Sequence, residues 1–148
     1  MTAETGLKYV LRFIALFSCM ALAGIVIPPA YLGWLLNKAQ PGTPNGILTN
    51  YLFRTLCLMY AWAGLQCWVY STDIHRYMPL IWIVGIGSLI LAGAGMALLL
   101  VLVPAEQQSG AFWIFFADFA EGFVQAVVLV VLLLRIRKRP YERRPAVL

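Results

Sequence analysis

Residues 79–103 read PLIWIVGIGSLILAGAGMALLLVLV, an apolar run without any ionisable side chain. About 20 such residues in a helix already cross the ~30 Å hydrocarbon core of a bilayer. A helix is the expected form, because lipid offers no partner for an unpaired backbone amide and the run lacks the alternation of a barrel strand. We therefore expect residues 79–103 to form a transmembrane helix.

Three further apolar runs accompany this one, separated by short polar segments. The four predicted spans cover residues 9–36, 47–70, 79–103 and 111–134 of a domain 1–134, followed by a basic tail 135–148. Short connections force neighbouring helices to run antiparallel. The predicted fold class is an all-α membrane protein, a four-transmembrane-helix antiparallel bundle.

The composition excludes a water-soluble protein. Of the 148 residues, 62% are hydrophobic and only 11% charged, whereas an average soluble domain is roughly 45–50% apolar and about 25% charged. A soluble fold of this length could not bury so much apolar surface. A soluble enzyme, a disordered tail and a nucleic-acid-binding module are thereby excluded.

The Cys and His content argues against cofactor chemistry. The chain has three Cys, each inside an apolar run, and one His, His75. Cys57 and Cys67 share a predicted helix and lie about 15 Å apart along it, which is too far for a disulfide. One His provides no ligand pair for a haem, so we expect no cofactor and no metal site.

The distribution of basic residues predicts the orientation. With the N-terminus in the cytoplasm, all Lys and Arg except Lys38 and Arg54 lie on the cytoplasmic side. The positive-inside rule therefore places both termini in the cytoplasm. Because the first run continues well past Cys19, we expect a retained span and not a cleaved leader. Candidates for contact with anionic lipid headgroups are Arg135, Arg137, Lys138 and Arg139.

Polar residues within the spans mark the candidate site, because an ionisable group there usually faces protein or water. Asp118, Glu121 and Gln125 fall on one face of the fourth span at about 100° per residue. Arg54 and Asp118 lie equally far into the second and fourth spans. We therefore expect an intramembrane polar cluster of Arg54, Asp118, Glu121 and Gln125, in which Arg54 pairs with Asp118.

Two interpretations of this cluster stay open. A buried Arg–Asp pair often fixes helix register without any other role, whereas perturbed charged groups also mark ligand or proton sites. With two acids and one guanidinium, one acid lacks a full partner, and the deeper Glu121 is the favoured proton site. The candidates for contact with a ligand or a proton are Glu121, Tyr60 and Gln66.

Two further features concern packing. Small residues at helical spacing in the third span predict a helix–helix contact face inside the bundle. They are Gly85, Ser88, Ala92 and Gly95. Pro28-Pro29 predicts a kink or an early end of the first helix with a short helical piece after it. The alternative is a cavity beside the kink, where a lipid tail or a quinone-like ligand could enter.

The second span and the segment after it resemble known proteins. The residues concerned are Arg54, Leu58-Met59-Tyr60-Ala61, Gly64-Leu65, Tyr70-Ser71-Thr72-Asp73, Arg76 and Pro79-Leu80-Ile81. The pattern resembles small bacterial four-helix membrane proteins of the DoxX-like and DUF4345-like kind, in which an Arg opens the second helix and a D-x-x-R-like loop leads to the third. The resemblance implies a bacterial inner-membrane setting and, for some members, a role as accessory subunit of quinone-linked oxidoreductases. It carries over no catalytic residue.

The sequence thus predicts a small non-catalytic protein of the bacterial inner membrane. We expect an accessory subunit of a membrane complex or a binder of an apolar ligand, lipid or quinone-like. Its expected partners are membrane lipids and another membrane protein or a second copy, and no nucleic acid. One alternative is a proton-coupled transporter or channel subunit that acts as a homo-oligomer through Glu121. The other is a lipid-directed enzyme with His75 and Asp73, near which no nucleophile stands out.

Overall fold

The computed structural model describes residues 2–42, 46–104 and 110–138, of which about 90% are helical. The helices are α1 Ala3–Cys19, α2 Leu22–Ile25, α3 Pro29–Ala39, α4 Ile47–Thr72, α5 Ile74–Leu102 and α6 Gly110–Lys138. These described ranges contain no strand. The predicted all-α fold class is therefore confirmed. Residues 43–45 and 105–109 of the predicted connections, and residues 139–148 of the predicted tail, lie outside the described residues.

Three stretches of helix are long and apolar enough to cross a membrane. They are Ala3–Ile25, Ile74–Leu102 and Gly110–Arg137. The helix α4 is also long, with 26 residues, but it does not belong to this group, and Asn50, Arg54 and Gln66 lower its hydropathy. The length and composition of the three stretches support a helical membrane protein.

The surface of the helices is apolar rather than polar. Large hydrophobic side chains stay exposed along every long helix; examples are Phe13, Trp62, Leu91, Val101 and Val124. A soluble monomer rarely exposes apolar patches on this scale. A hydrocarbon surrounding removes the cost of this exposure, so the surface agrees with the membrane class.

α1 packs along α4 in the antiparallel sense. Gly24 lies beside Cys57, and Gly64 lies beside Ala15, so residue numbers rise along the first segment as they fall along the second. At Gly64 the two backbones approach so closely that a Cβ there would lie 2.9 Å from the carbonyl oxygen of Ala15. The most extensive helix pair of the bundle therefore depends on a residue without a side chain.

α5 packs along α6, again antiparallel. A Cβ on Gly85 would lie 2.6 Å from Leu129, and one on Gly95 would overlap the ring of Phe119. Ala92, between these two glycines, faces Gly122. The small-residue stripe is thus a contact face within the bundle, as predicted.

The helices converge at one end of the bundle. The buried core there consists of Leu7, Leu11, Ala15, Cys67, Ile74, Ile81, Leu129 and Leu133. These residues come from α1, the end of α4, the first part of α5 and the last part of α6. Helix α4 packs much less against α5 than against α1.

The first apolar run contains a break where the proline pair predicts one. Helix α2 ends at Ile25, Pro28 is the extended residue before the next helix, and Pro29 occupies its first turn. A proline fits the first turn of a helix because the N–H of that position has no helical partner. The first long segment therefore covers Ala3–Ile25 and not residues 9–36, and α3 follows as a separate piece.

The connection between α4 and α5 is shorter than residues 71–78, which separate the second and third predicted spans. Only Asp73 separates the two helices. Its side chain accepts a hydrogen bond from the backbone N–H of Arg76 at 3.1 Å and so caps α5. Helix α5 consequently begins at Ile74, before Pro79, which lies inside the helix.

Candidate functional site

A cavity of about 620 Å³ lies between α1, α4, α5 and α6. Its lining is mostly apolar, with a few polar groups concentrated on α6. The residues contributed by α6 are Asp118, Phe119, Glu121, Gly122 and Gln125. Phe17 and Ser18 face them from α1, Tyr60 from α4, and Ser88 from α5.

The cavity is at mid-height of the bundle. Tyr60 lies midway along Ile47–Thr72, and Ser88 midway along Ile74–Leu102. A helix of this length extends for about 40 Å at 1.5 Å per residue, so both residues stand about 20 Å from either end of their helices.

Two hydrogen bonds organise the polar wall. The Tyr60 hydroxyl donates to Asp118 Oδ2 at 2.8 Å and links α4 to α6. Gln125 Nε2 donates to Glu121 Oε1, also at 2.8 Å, one turn away on α6. Both carboxylate side chains remain exposed, so a molecule in the cavity can reach them.

Arg54 has a different partner from the one expected. Its guanidinium donates to the carbonyl oxygen of Ile25 and, at 3.1 Å, to that of Ile27. Helix α2 ends at Ile25 and Pro28 is extended, so no N–H four residues on is in helical position to meet these carbonyls, and a helix end needs another donor. Arg54 supplies the missing donor. The predicted Arg54–Asp118 ion pair consequently does not form between these two described residues, and Tyr60 takes the place of Arg54 beside Asp118.

Helix geometry explains why α4 brings Tyr60, and not Arg54 or Gln66, to the cavity. Each of these two residues is six positions from Tyr60, which is about 240° around a helix. Both therefore point away from the face that carries Tyr60, and neither lines the cavity. Of the predicted site residues, the structure brings together Tyr60, Asp118, Glu121 and Gln125.

The remaining candidates that the structure describes lie at the end of the bundle that holds the buried core. Arg135 and Arg137 belong to the last turns of α6, Lys138 is its final residue, and Arg139 lies outside the described residues. His75 Nε2 lies 3.4 Å from Glu4 Oε1, and both side chains are exposed. Asp73 caps α5. Contact of the basic residues with lipid headgroups stays a prediction.

Sequence reasoning missed the contributions of α1 and α5 to the cavity. Phe17, Ser18 and Leu91 have no polar pattern that would distinguish them from packing residues. Ser88 belongs to the small-residue stripe of the third span. Its hydroxyl, the polar group of that stripe, is the feature of the sequence that could have indicated a cavity beside the helix contact. Among the described residues, no group of three or more His, Cys, Asp or Glu is placed to hold a metal ion.

Comparisons with protein-family models, with curated proteins and with solved structures find no match for this chain. The resemblance to DoxX-like proteins therefore stays a prediction from the sequence. The cavity and the groups that line it are the features of the molecule that bear on its function.

Proposed function

We propose that the chain is a small non-catalytic integral membrane protein that binds an apolar ligand, a lipid or a quinone-like molecule, within the bilayer. The observation that carries this proposal is the mid-height cavity of about 620 Å³. Small-molecule sites typically measure about 300–1,000 Å³ and combine an apolar lining with a few convergent polar groups. A role as accessory subunit of a membrane complex, as in some DoxX-like proteins, is the form of this proposal in which a partner protein receives or delivers the ligand.

The proposal includes a membrane arrangement. We propose that α4 crosses the membrane in addition to the three stretches named above, which gives four spans. We also propose that both termini lie in the cytoplasm and that the membrane is a bacterial inner membrane. The support for α4 is its length of 26 residues and its antiparallel packing along α1. The support for the orientation is the excess of Lys and Arg near the chain ends, together with Arg76 in the first turn of α5.

Filling the cavity tests the proposal. Ser88→Leu places a larger side chain into the cavity. The control is Gly87→Leu, on the preceding residue of α5, which adds the same side chain where nothing lies within 4 Å of a Cβ. We expect the full chain, purified in mild detergent, to retain an apolar molecule detectable by native mass spectrometry. The retained amount should fall at least fivefold in Ser88→Leu and stay unchanged in Gly87→Leu. An equal amount in both variants, or none in the unaltered protein, would contradict the proposal.

The second candidate function is a proton-coupled transporter or channel subunit that acts as a homo-oligomer. The observation that favours it is a carboxylate, Glu121, that lines a cavity at mid-height. Intramembrane acids of this kind often belong to proton relays.

Proton flux into vesicles separates this candidate from simple binding. The chain is reconstituted into liposomes loaded with a pH-sensitive dye, and a pH step is applied. If the second candidate is right, flux exceeds that of empty liposomes, falls to their level in Glu121→Gln, and is unchanged in Glu4→Gln, a matched substitution outside the cavity. Flux no faster than in empty liposomes would exclude it and leave the binding proposal standing.

A further inference from the structure

The charge balance of the cavity defines the chemical class of ligand that it suits. Two carboxylates, Asp118 and Glu121, line the cavity, and the described residues around it include no Lys, Arg or His. The donors that reach the carboxylates are a phenol hydroxyl and a primary amide, from Tyr60 and Gln125. Neutral donors orient a carboxylate without cancelling its charge.

Two basic side chains of α1 and α4 are engaged elsewhere. The Arg54 guanidinium is bound to the carbonyls of Ile25 and Ile27. Arg12 lies with its guanidinium carbon 5.5 Å from the ring centroid of Trp68. Neither residue lines the cavity. The negative charge on the cavity wall is therefore uncompensated by these two arginines.

The rest of the lining suits a cation with an apolar body. The rings of Phe17, Tyr60 and Phe119 border the same space, and aromatic rings attract organic cations, most strongly where water is excluded. Leu91 and Ala92 add aliphatic surface. An ionised carboxylate in apolar surroundings is costly without a positive partner, so a ligand that brings one gains more than a neutral ligand of the same shape.

We propose that the cavity binds a lipophilic cation, an apolar molecule that carries an ammonium or similar onium group, with Asp118 and Glu121 as its counter-charges. This inference rests on the proposed function, because it specifies the ligand of the same cavity. It disfavours a neutral quinone. A quinone presents carbonyl acceptors, whereas Tyr60 and Gln125 already direct a donor each to the carboxylates.

Two ions of almost equal shape and opposite charge test the inference. Tetraphenylphosphonium and tetraphenylborate are each equilibrated by dialysis with the purified full chain in detergent, and protein-free micelles supply the background. We expect saturable binding of the phosphonium, at least tenfold tighter than any binding of the borate. Equal binding of both ions, or tighter binding of the borate, would overturn the inference.

Variants locate the bound cation. The double variant Asp118→Asn, Glu121→Gln keeps the size of both side chains and should lower the affinity for the phosphonium at least tenfold. Glu4→Gln, an acid at the start of α1, should leave the affinity unchanged. If the double variant fails to fold, the phosphonium affinities of Ser88→Leu and Gly87→Leu are compared instead. Only Ser88→Leu fills the cavity, so only Ser88→Leu should lower the affinity. Unchanged affinity in the double variant, if folded, or in Ser88→Leu would overturn the inference.

The outcomes distinguish this inference from the proposal beneath it. If the chain retains a neutral lipid or quinone in a Ser88-dependent manner but binds no phosphonium, the apolar-ligand function holds and the cation inference fails. If neither a retained molecule nor the phosphonium depends on Ser88, both fail.

Discussion

Replacing Arg54 by Met should lower the free energy of unfolding by about 3 kcal/mol, because the carbonyls of Ile25 and Ile27 then lose their donors. A hydrogen bond to a charged group contributes roughly 1.5–3 kcal/mol, and an unsatisfied buried acceptor costs a further penalty of about 1–3 kcal/mol. The side chain is part-buried, which keeps the estimate below the sum of these values. Titration with SDS in mixed micelles, followed by circular dichroism, measures the loss.

A double-mutant cycle of Arg54 and Asp118 distinguishes the hydrogen bonds of Arg54 to Ile25 and Ile27 from the ion pair with Asp118 predicted from the sequence. Arg54 and Asp118 make separate hydrogen bonds, to Ile25 and to Tyr60 respectively. The losses caused by Arg54→Met and Asp118→Asn should therefore add. A coupling energy well above about 0.5 kcal/mol between the two substitutions would favour the ion pair instead.

The helices and one face of the site follow from the sequence because they depend on local periodicity. The apolar runs predict the long helices, and about 100° per residue is enough to place Asp118, Glu121 and Gln125 on one wall. Helix ends near Pro28 and Asp73 depend on capping. The break at the proline pair was predicted. The single-residue connection at Asp73 was not, because the polar residues around Asp73 are also typical of a loop.

The partner of Asp118 could not be obtained in the same way. Counting residues from the ends of two spans estimates depth, but it gives neither the rotation of each helix nor their relative shift along the bundle axis. Those two quantities come from packing, such as the close approach at Gly64. The proline pair does predict the end of the helix near Ile25, and the last carbonyls of a helix need a donor from elsewhere. The proline pair does not say which side chain supplies that donor.

That close approach makes Gly64→Leu the second substitution with a large expected effect. A Cβ at this position would lie 2.9 Å from the backbone oxygen of Ala15 and 3.0 Å from Cys19 Sγ, and a backbone cannot move aside as a flexible side chain can. Helix α1 must then separate from α4. We expect a loss of about 3 kcal/mol, at the upper end of overpacking costs, measured by the same SDS titration.

The sign of two alanine substitutions gives the sharpest test of this packing. Alanine stabilises an exposed helix interior by about 0.5–1 kcal/mol relative to glycine. At Gly87, where nothing lies within 4 Å of a Cβ, Gly87→Ala should therefore raise the free energy of unfolding. Gly64→Ala gains the same helix propensity, but its Cβ meets the Ala15 carbonyl. This substitution should therefore lower the free energy of unfolding. If Gly64→Ala proves as stabilising as Gly87→Ala, α1 and α4 are not in backbone contact at this point. The position of Tyr60, four residues before Gly64 and so about one turn away on α4, would then lose its support.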